Sequence, residues 1–190
     1  MTAEPTHRVT PPKAHGYDDD MTRAVVVGNG GGGKSTLSGA LAKRHNLAWC
    51  SVDQIQWAPG WEPVPDEVVV ERLRSVMAGD RWIIDGWGPW PSLEERMQVS
   101  DTLIFVDLPL WMHFWLAAER QISIARGQPR CDPVEGCDDL TMTRRLFETI
   151  WHVDHTLRPQ LVELVERYTT GREYHHVTTL DQLEELAHFA

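Results

Sequence analysis

Apolar positions along the chain follow two alternating rhythms. Short runs rich in β-branched residues occur at Ala24–Val27, Ala48–Val52, Arg81–Ile84, Thr102–Val106 and Tyr174–Thr178. Such runs suit strands buried on both faces of a parallel sheet. Between them, apolar residues recur at helical spacing. Leu37, Ala40 and Leu41 share a face in Lys34–His45, and Val69, Leu73 and Val76 share one in Asp66–Ala78, although Val68–Val70 adds β-branching that helices disfavour. A helix is expected from about Leu110 to Arg126, and a longer helical pattern runs from Leu140 through Ile150 and Leu157 to Leu164, with Pro159 expected to kink or interrupt it. Thr179-x-x-Gln182 reads as a capping box opening a terminal helix with Leu180, Leu183 and Leu186 on its face. Five strands alternating with helices predict an α/β protein built round a parallel sheet.

Two segments fall outside these rhythms. Residues 1–21 hold three prolines and an acidic run without apolar periodicity, and read as a disordered leader to a single domain over 22–190. Residues 127–139 hold two Gly, two Pro, two Cys and four acidic residues, the composition of a loop, here read as a lid.

The junction of the first strand and first helix carries the strongest chemistry. Gly28-Asn29-Gly30-Gly31-Gly32-Gly33-Lys34-Ser35-Thr36 fits G-x-x-x-x-G-K-[ST]. Glycines let successive backbone N–H groups turn toward phosphate oxygens, and the helix N-terminus adds partial positive charge. Lys34 would reach the β- and γ-phosphates of ATP, and the Ser35 hydroxyl would help hold Mg²⁺. The same stretch satisfies G-x-G-x-x-G through Gly28, Gly30 and Gly33, with Asp53 about twenty residues on, as a dinucleotide site would want. Lys34-Ser35-Thr36 separates the two readings, because a magnesium triphosphate needs the lysine and hydroxyls and a dinucleotide does not.

In an open parallel sheet, ligands bind beyond the carboxyl ends of the strands. Asp53, Asp85 and Asp107 each end a predicted strand. Asp85 is the candidate to orient Mg²⁺, Asp53 to accept a proton from an attacking hydroxyl or bind the acceptor, and Asp107 to cap the next helix. Arg126 and Arg130 flank Gly127 and Pro129 and are the candidate lid cations, with Arg96, Arg120, Arg144 and Arg145 as further arginines within reach of such a site. Trp57, Trp61, Trp82, Trp87 and Trp90 flank the two carboxylates, and either line an aromatic acceptor pocket or pack loops onto the sheet. Cys131 and Cys137, with His152 and His155, lack the spacing of a structural zinc site.

Composition narrows the partners. The 190 residues carry 28 acidic and 18 basic side chains, a net charge of −10, which argues against nucleic-acid binding by bulk charge. Three cysteines cannot form a disulfide framework, so a reducing cytoplasm is expected. The most apolar stretch, Leu103 to Ala118, is too short and too interrupted by Asp107, Pro109 and His113 for a membrane helix. The oligomeric state leaves no mark in the sequence.

With these residues laid out, the chain resembles the P-loop kinases related to adenylate kinase, and most of all the group labelled DNA topology modulation proteins. The resemblance rests on Gly28–Thr36, Asp53 with Trp57-Ala-Pro-Gly-Trp61, Trp82-Ile-Ile-Asp85-Gly86, Asp101 to Pro109, Glu135-Gly-Cys137, Trp151 and Arg158-Pro159. It implies a P-loop NTPase fold of the nucleoside monophosphate kinase type: a five-stranded parallel sheet in order 2-3-1-4-5, helices on both faces and a small lid. It also implies Arg120 near the adenine and phosphates. Where adenylate kinases follow the Asp-Gly with Phe-Pro-Arg, this chain has Trp87-Gly88-Pro89-Trp90, without the arginine that would grip a phosphate-bearing acceptor. The expected activity is transfer of the γ-phosphoryl group of Mg-ATP to a small-molecule or nucleotide acceptor. The alternative is an ATP-binding regulatory switch with slow hydrolysis and a protein partner.

Overall fold

A computed structural model describes residues 21–188. The leader expected over 1–21 lies outside the described residues except for Met21, which is buried in the core. Strand β1 (Arg23–Gly28) leads through the glycine loop into helix α1 (Lys34–His45). Then come β2 (Ala48–Ser51), a short α2 (Val52–Gln56), a two-residue hairpin of β3 (Trp57–Ala58) and β4 (Glu62–Pro63), and α3 (Asp66–Met77). β5 (Trp82–Asp85), α4 (Trp90–Val99), β6 (Thr102–Val106) and α5 (Leu110–Ala125) follow. A 3₁₀ turn at Asp139–Met142 opens α6 (Thr143–His152), which runs through a π turn at Val153–Leu157 into α7 (Arg158–Arg167), and β7 (Glu173–Val177) and α8 (Leu180–His188) close the fold.

The five long strands are all parallel and lie in the order β2-β5-β1-β6-β7. Counting those strands alone, that is the expected 2-3-1-4-5. Side chains alternate between the faces, as the strand period of two demands. Val25, Val27, Ile84, Leu103 and Phe105 pack beneath α3, α4 and α7. Ala24, Val26, Ile83, Ile104 and Val106 pack beneath α1 and α8. The crossovers therefore leave the carboxyl ends of β1, β2, β5 and β6 side by side, where a ligand can meet several chain segments at once.

Three local expectations change. β2 ends at Ser51 rather than Val52, and Asp53 sits in α2 instead of at a strand end. The ladder stops at the Ser51–Asp85 pair because the partner chain turns away at Gly86, whose φ is +104°, so the next residues are free to coil. The long helical pattern breaks before Pro159, at the π turn, and the proline then occupies the first turn of α7, where its missing N–H costs nothing. Asp107 does not cap α5. It accepts two hydrogen bonds from Arg158 at 2.7 Å and one from His176 at 3.1 Å, tying α7 and β7 to the tip of β6. The capping box at Thr179 and Gln182 forms as expected, Gln182 N–H donating to Thr179 Oγ1 and Thr179 N–H to Gln182 Oε1.

Candidate active site

The glycine loop is shaped by close packing at both ends. At Gly28, with φ +144°, a Cβ would stand 2.0 Å from the Val106 carbonyl oxygen, so no side chain fits where β1 and β6 converge. At Gly33 a φ of +76° turns the chain into α1, whose N-terminus makes no side-chain cap bond. The N–H groups of that first turn are left for a ligand. Asn29 and His113 brace the loop from behind. The Asn29 amide donates to the Ile150 carbonyl of α6 at 2.8 Å and accepts from Gly30 N–H at 2.7 Å. Nδ1 of His113 on α5 lies 2.9 Å from the Gly30 carbonyl oxygen. A carbonyl only accepts, so Nδ1 carries a proton, and burial, which pushes the pKa down to about 4 against the pull of that carbonyl, favours the neutral ring. Lys34 lies across the loop, its ammonium donating to the Asn29 carbonyl at 2.7 Å, and burial lowers its pKa.

Asp85 stands opposite. It is 2% exposed, and its two oxygens accept from Ser35 Oγ at 3.0 Å and Trp49 Nε1 at 2.6 Å. Burial pushes its pKa up to about 6, against the pull of the Trp49 hydrogen bond, the Lys34 charge and the Ser35 hydrogen bond. A hydroxyl beside a carboxylate, next to the glycine loop, is a donor set that suits Mg²⁺, which takes few protein ligands and completes its shell with water and phosphate oxygens.

Arg130 reaches the cleft, but its guanidinium is already engaged. It donates to both oxygens of Asp132 at 2.9 Å, to Asp53 at 3.1 Å and to Asp139 at 3.2 Å. These three carboxylates raise its pKa against the effect of burial. Asp132 in turn accepts from Ser51 Oγ at 2.8 Å. Arg120 is the opposite case: it lines the cavity beside the loop, and its buried Nε has no hydrogen-bond partner among the described residues. The structure does not bring Arg126 into the cleft. It is exposed beyond the last turn of α5, because six residues of helix rotate it about 120° from Arg120. Nor does Arg96 face an acceptor. Fully buried, it donates to the carbonyls of Ser92, Gly86 and Trp87 and fixes the turn after β5. Arg144 is exposed and paired with Glu148, while Arg145 lies over the Trp57 ring at 5.6 Å.

The tryptophans divide. Trp57, Trp61 and Trp87 line the cavity. Trp82 is core, and Trp90 packs edge-on against Trp87. The β3–β4 hairpin carrying Trp57 and Trp61 is clasped to the loop at residues 136–138: Gly60 N–H donates to the Gly136 carbonyl, Trp61 N–H to Cys137 Sγ, Trp61 Nε1 to the Asp138 carbonyl, and the Cys137 thiol to the Ala58 carbonyl. Trp61 is held at φ +63°, a conformation strained for a bulky residue. Cys131 instead sits 3.9 Å from Thr36 and His155 stacks on Trp151, so these groups of the zinc alternative are dispersed rather than gathered. Sequence reasoning missed Trp49, Asp132, Ser51, Asp139 and His113. Only Asp132, an acid two residues from a candidate arginine in the lid, carried a local signal.

Together the phosphate loop, Asp53, Asp85, Arg120, Arg130 and the tryptophans surround one cavity of about 640 Å³, of the size that small-molecule sites occupy.

No protein-family model matches the chain, and no curated protein matches it by sequence. Among solved structures, shikimate kinase from Acinetobacter baumannii in complex with shikimate aligns with a TM-score of 0.53 at 12% identity, over 89% of this chain and 90% of that one. Shikimate kinase from Bacteroides thetaiotaomicron aligns over 88% and 94% at 17% identity with a TM-score of 0.46, too loose a likeness to carry an argument. The fold is shared with the Acinetobacter baumannii protein: a five-stranded parallel sheet with helices packed on both faces.

Proposed function

We propose that the chain is a P-loop phosphotransferase that uses Mg-ATP and a small acceptor carrying a hydroxyl group. The observation that carries this reading is the juxtaposition in one cavity of an uncapped glycine-rich helix start, Lys34, the Ser35–Asp85 pair and Arg120, whose Nε has no hydrogen-bond partner among the described residues. Residues 28–36 would cradle the phosphates, and Arg120 would complete the cationic wall that the sequence assigned to Arg126 and Arg130. Ser35 would ligate Mg²⁺, with Asp85 acting through water. Bound Mg-ATP supplies the transferable phosphoryl group and the metal's charge. Asp53 would take the proton of the acceptor hydroxyl as that oxygen bonds to the γ-phosphorus and the bond from the phosphorus to the bridging oxygen breaks, so that ADP leaves. Its carboxylate is oriented for this by Arg130 at 3.1 Å and by the Gln56 amide at 2.9 Å. Charge stabilisation and positioning are the whole demand of this chemistry. The cavity's aromatic wall, with Arg145 over Trp57, favours a flat or ring-shaped acceptor. Placement in the group labelled DNA topology modulation proteins rests on the shared motifs, and a charge of −10 speaks for a small acceptor rather than DNA.

The test is ADP release from Mg-ATP with a panel of nucleosides, nucleoside monophosphates, polyols and shikimate, with Lys34→Ala as control. Stimulation by a panel member, lost in the variant, establishes the kinase and its acceptor class. Tight ATP binding with slow hydrolysis that every acceptor leaves unchanged favours the regulatory switch. Absence of triphosphate binding overturns both.

A further inference from the structure

Helix α5 has two working faces, and the active site uses one. His113, Ala117 and Gln121 are buried on the side that braces the phosphate loop. On the opposite side lie Trp111, Trp115, Ala118 and Ile122, all within about 60° of one another around the helix axis. Trp111 is 64% exposed, Trp115 58% and Ile122 51%. The spacing of four, three and four residues is that of a heptad seam, the pattern two helices use to interlock. α6 lies antiparallel beside α5, as the Gln121–Thr143 hydrogen bond and the Phe114–Phe147 stack show, which puts Trp151, 54% exposed, level with the start of the seam. Apart from the buried His113, no ionisable side chain occurs from Leu110 to Ala118, in a chain whose net charge is −10.

We infer that this face is the interface of a homodimer, in which α5 packs antiparallel against α5 of a second copy about a two-fold axis near residues 116–117. The occupant is read from the seam itself. Its order is large, large, small, medium, and reversing it sets Trp111 of one copy against Ile122 of the other and Trp115 against Ala118. Each tryptophan thereby meets a smaller residue, the self-complementarity that a two-fold interface requires. The area agrees. Three tryptophans more than half exposed and Ile122 offer roughly 500 Å² per copy, as large as the biggest apolar patch on an ordinary monomer. Two copies bury about 1,000 Å², the lower bound of a specific interface. A lipid surface fits less well, since interfacial helices pair their apolar face with flanking lysines and arginines. Here Arg120 is turned into the cavity, which leaves exposed Glu119 on the helix and a single exposed arginine, Arg126, just past its last turn.

Sedimentation velocity over a wide concentration range tests this. The wild type is expected to dimerise with a dissociation constant on the order of 10 μM. Trp115→Glu is expected to weaken the dimer on the order of a hundredfold while its far-UV circular dichroism stays unchanged. Val99→Glu, which alters an exposed apolar residue on α4 away from the seam, should leave it intact. Ala118→Trp discriminates the pairing from mere stickiness: it makes the surface more apolar yet removes the space opposite Trp115, so the dimer should weaken. A wild type that stays monomeric overturns the inference, as does a dimer insensitive to Trp115→Glu or strengthened by Ala118→Trp. A monomer whose tryptophan emission shifts on deletion of residues 1–20, or on adding anionic phospholipid vesicles, assigns the face to that segment or to lipid and equally overturns it.

Discussion

Asp85 and His113 are buried titratable groups displaced in opposite senses, and each makes a prediction. Asp85 is pushed up to about 6 by burial, with the Trp49 indole as the strongest group holding it lower. Mg-ATP binding should therefore weaken as pH falls through about 6, because a protonated carboxyl no longer orients the metal. Trp49→Phe removes the indole donor, and the midpoint should move to higher pH in fluorescence titrations from pH 5 to 8. An unchanged midpoint would count against Asp85 as the group titrating. His113, held neutral by burial beside the Gly30 carbonyl, acts on stability. Its pKa is about 4 folded and near 6.5 unfolded. Between those values the unfolded chain binds a proton that the folded chain does not, so stability drops as pH falls through the window. Asp85 acts in the opposite direction there, its folded pKa being the higher, and a comparison with His113→Gln isolates the histidine. Between pH 7 and pH 5 the wild type should lose about 2 kcal/mol more than the variant in urea unfolding.

Four hydrogen bonds join residues 136–138 to residues 58–61 of the β3–β4 hairpin. Arg130, with a side chain only 6% exposed, gathers Asp53, Asp132 and Asp139. Arg130→Ala should destabilise the protein by about 3 kcal/mol in thermal or urea unfolding, since it leaves the buried Asp132 without its counter-charge. A loss well under 1 kcal/mol would show that the cluster is wet and weakly coupled. Gly136 tests the clasp from the other side. Its φ is +69°, and a Cβ there would lie 2.7 Å from the Pro59 side chain. Gly136→Ala should cost about 1–3 kcal/mol from backbone strain and contact together, read as a lower unfolding midpoint.

At the scale of the molecule, ligand binding and folding are linked. At a Mg-ATP concentration near one hundred times its dissociation constant, the folded state gains about 2.7 kcal/mol. For a domain of this size that raises the melting midpoint by about 5–10 °C, and Lys34→Ala should abolish the shift. The glycine-rich loop, Asp85 at the end of β5 and the alternation of strands and helices were legible because each is local or periodic, whereas the sheet order was implied by the family resemblance. Gly28 to Thr36 is one contiguous run at a strand–helix junction, and the rhythm of apolar residues fixes which face of each element is buried. What remained illegible joins distant residues: Trp49 to Asp85 across 36 positions, Arg130 to Asp53 across 77 and Ser51 to Asp132 across 81. The sequence by itself determined the α/β architecture and a glycine-rich turn at the first strand–helix junction, since hydrogen-bonding geometry and hydrophobic period act over a few residues. Only the tertiary structure decided that Arg120 lines the cavity with no hydrogen-bond partner for its Nε among the described residues, while Arg130 is bound by three carboxylates. Parallel crossovers bring strand tips and lid together, and charges placed there choose partners by distance in space, which sequence spacing does not encode.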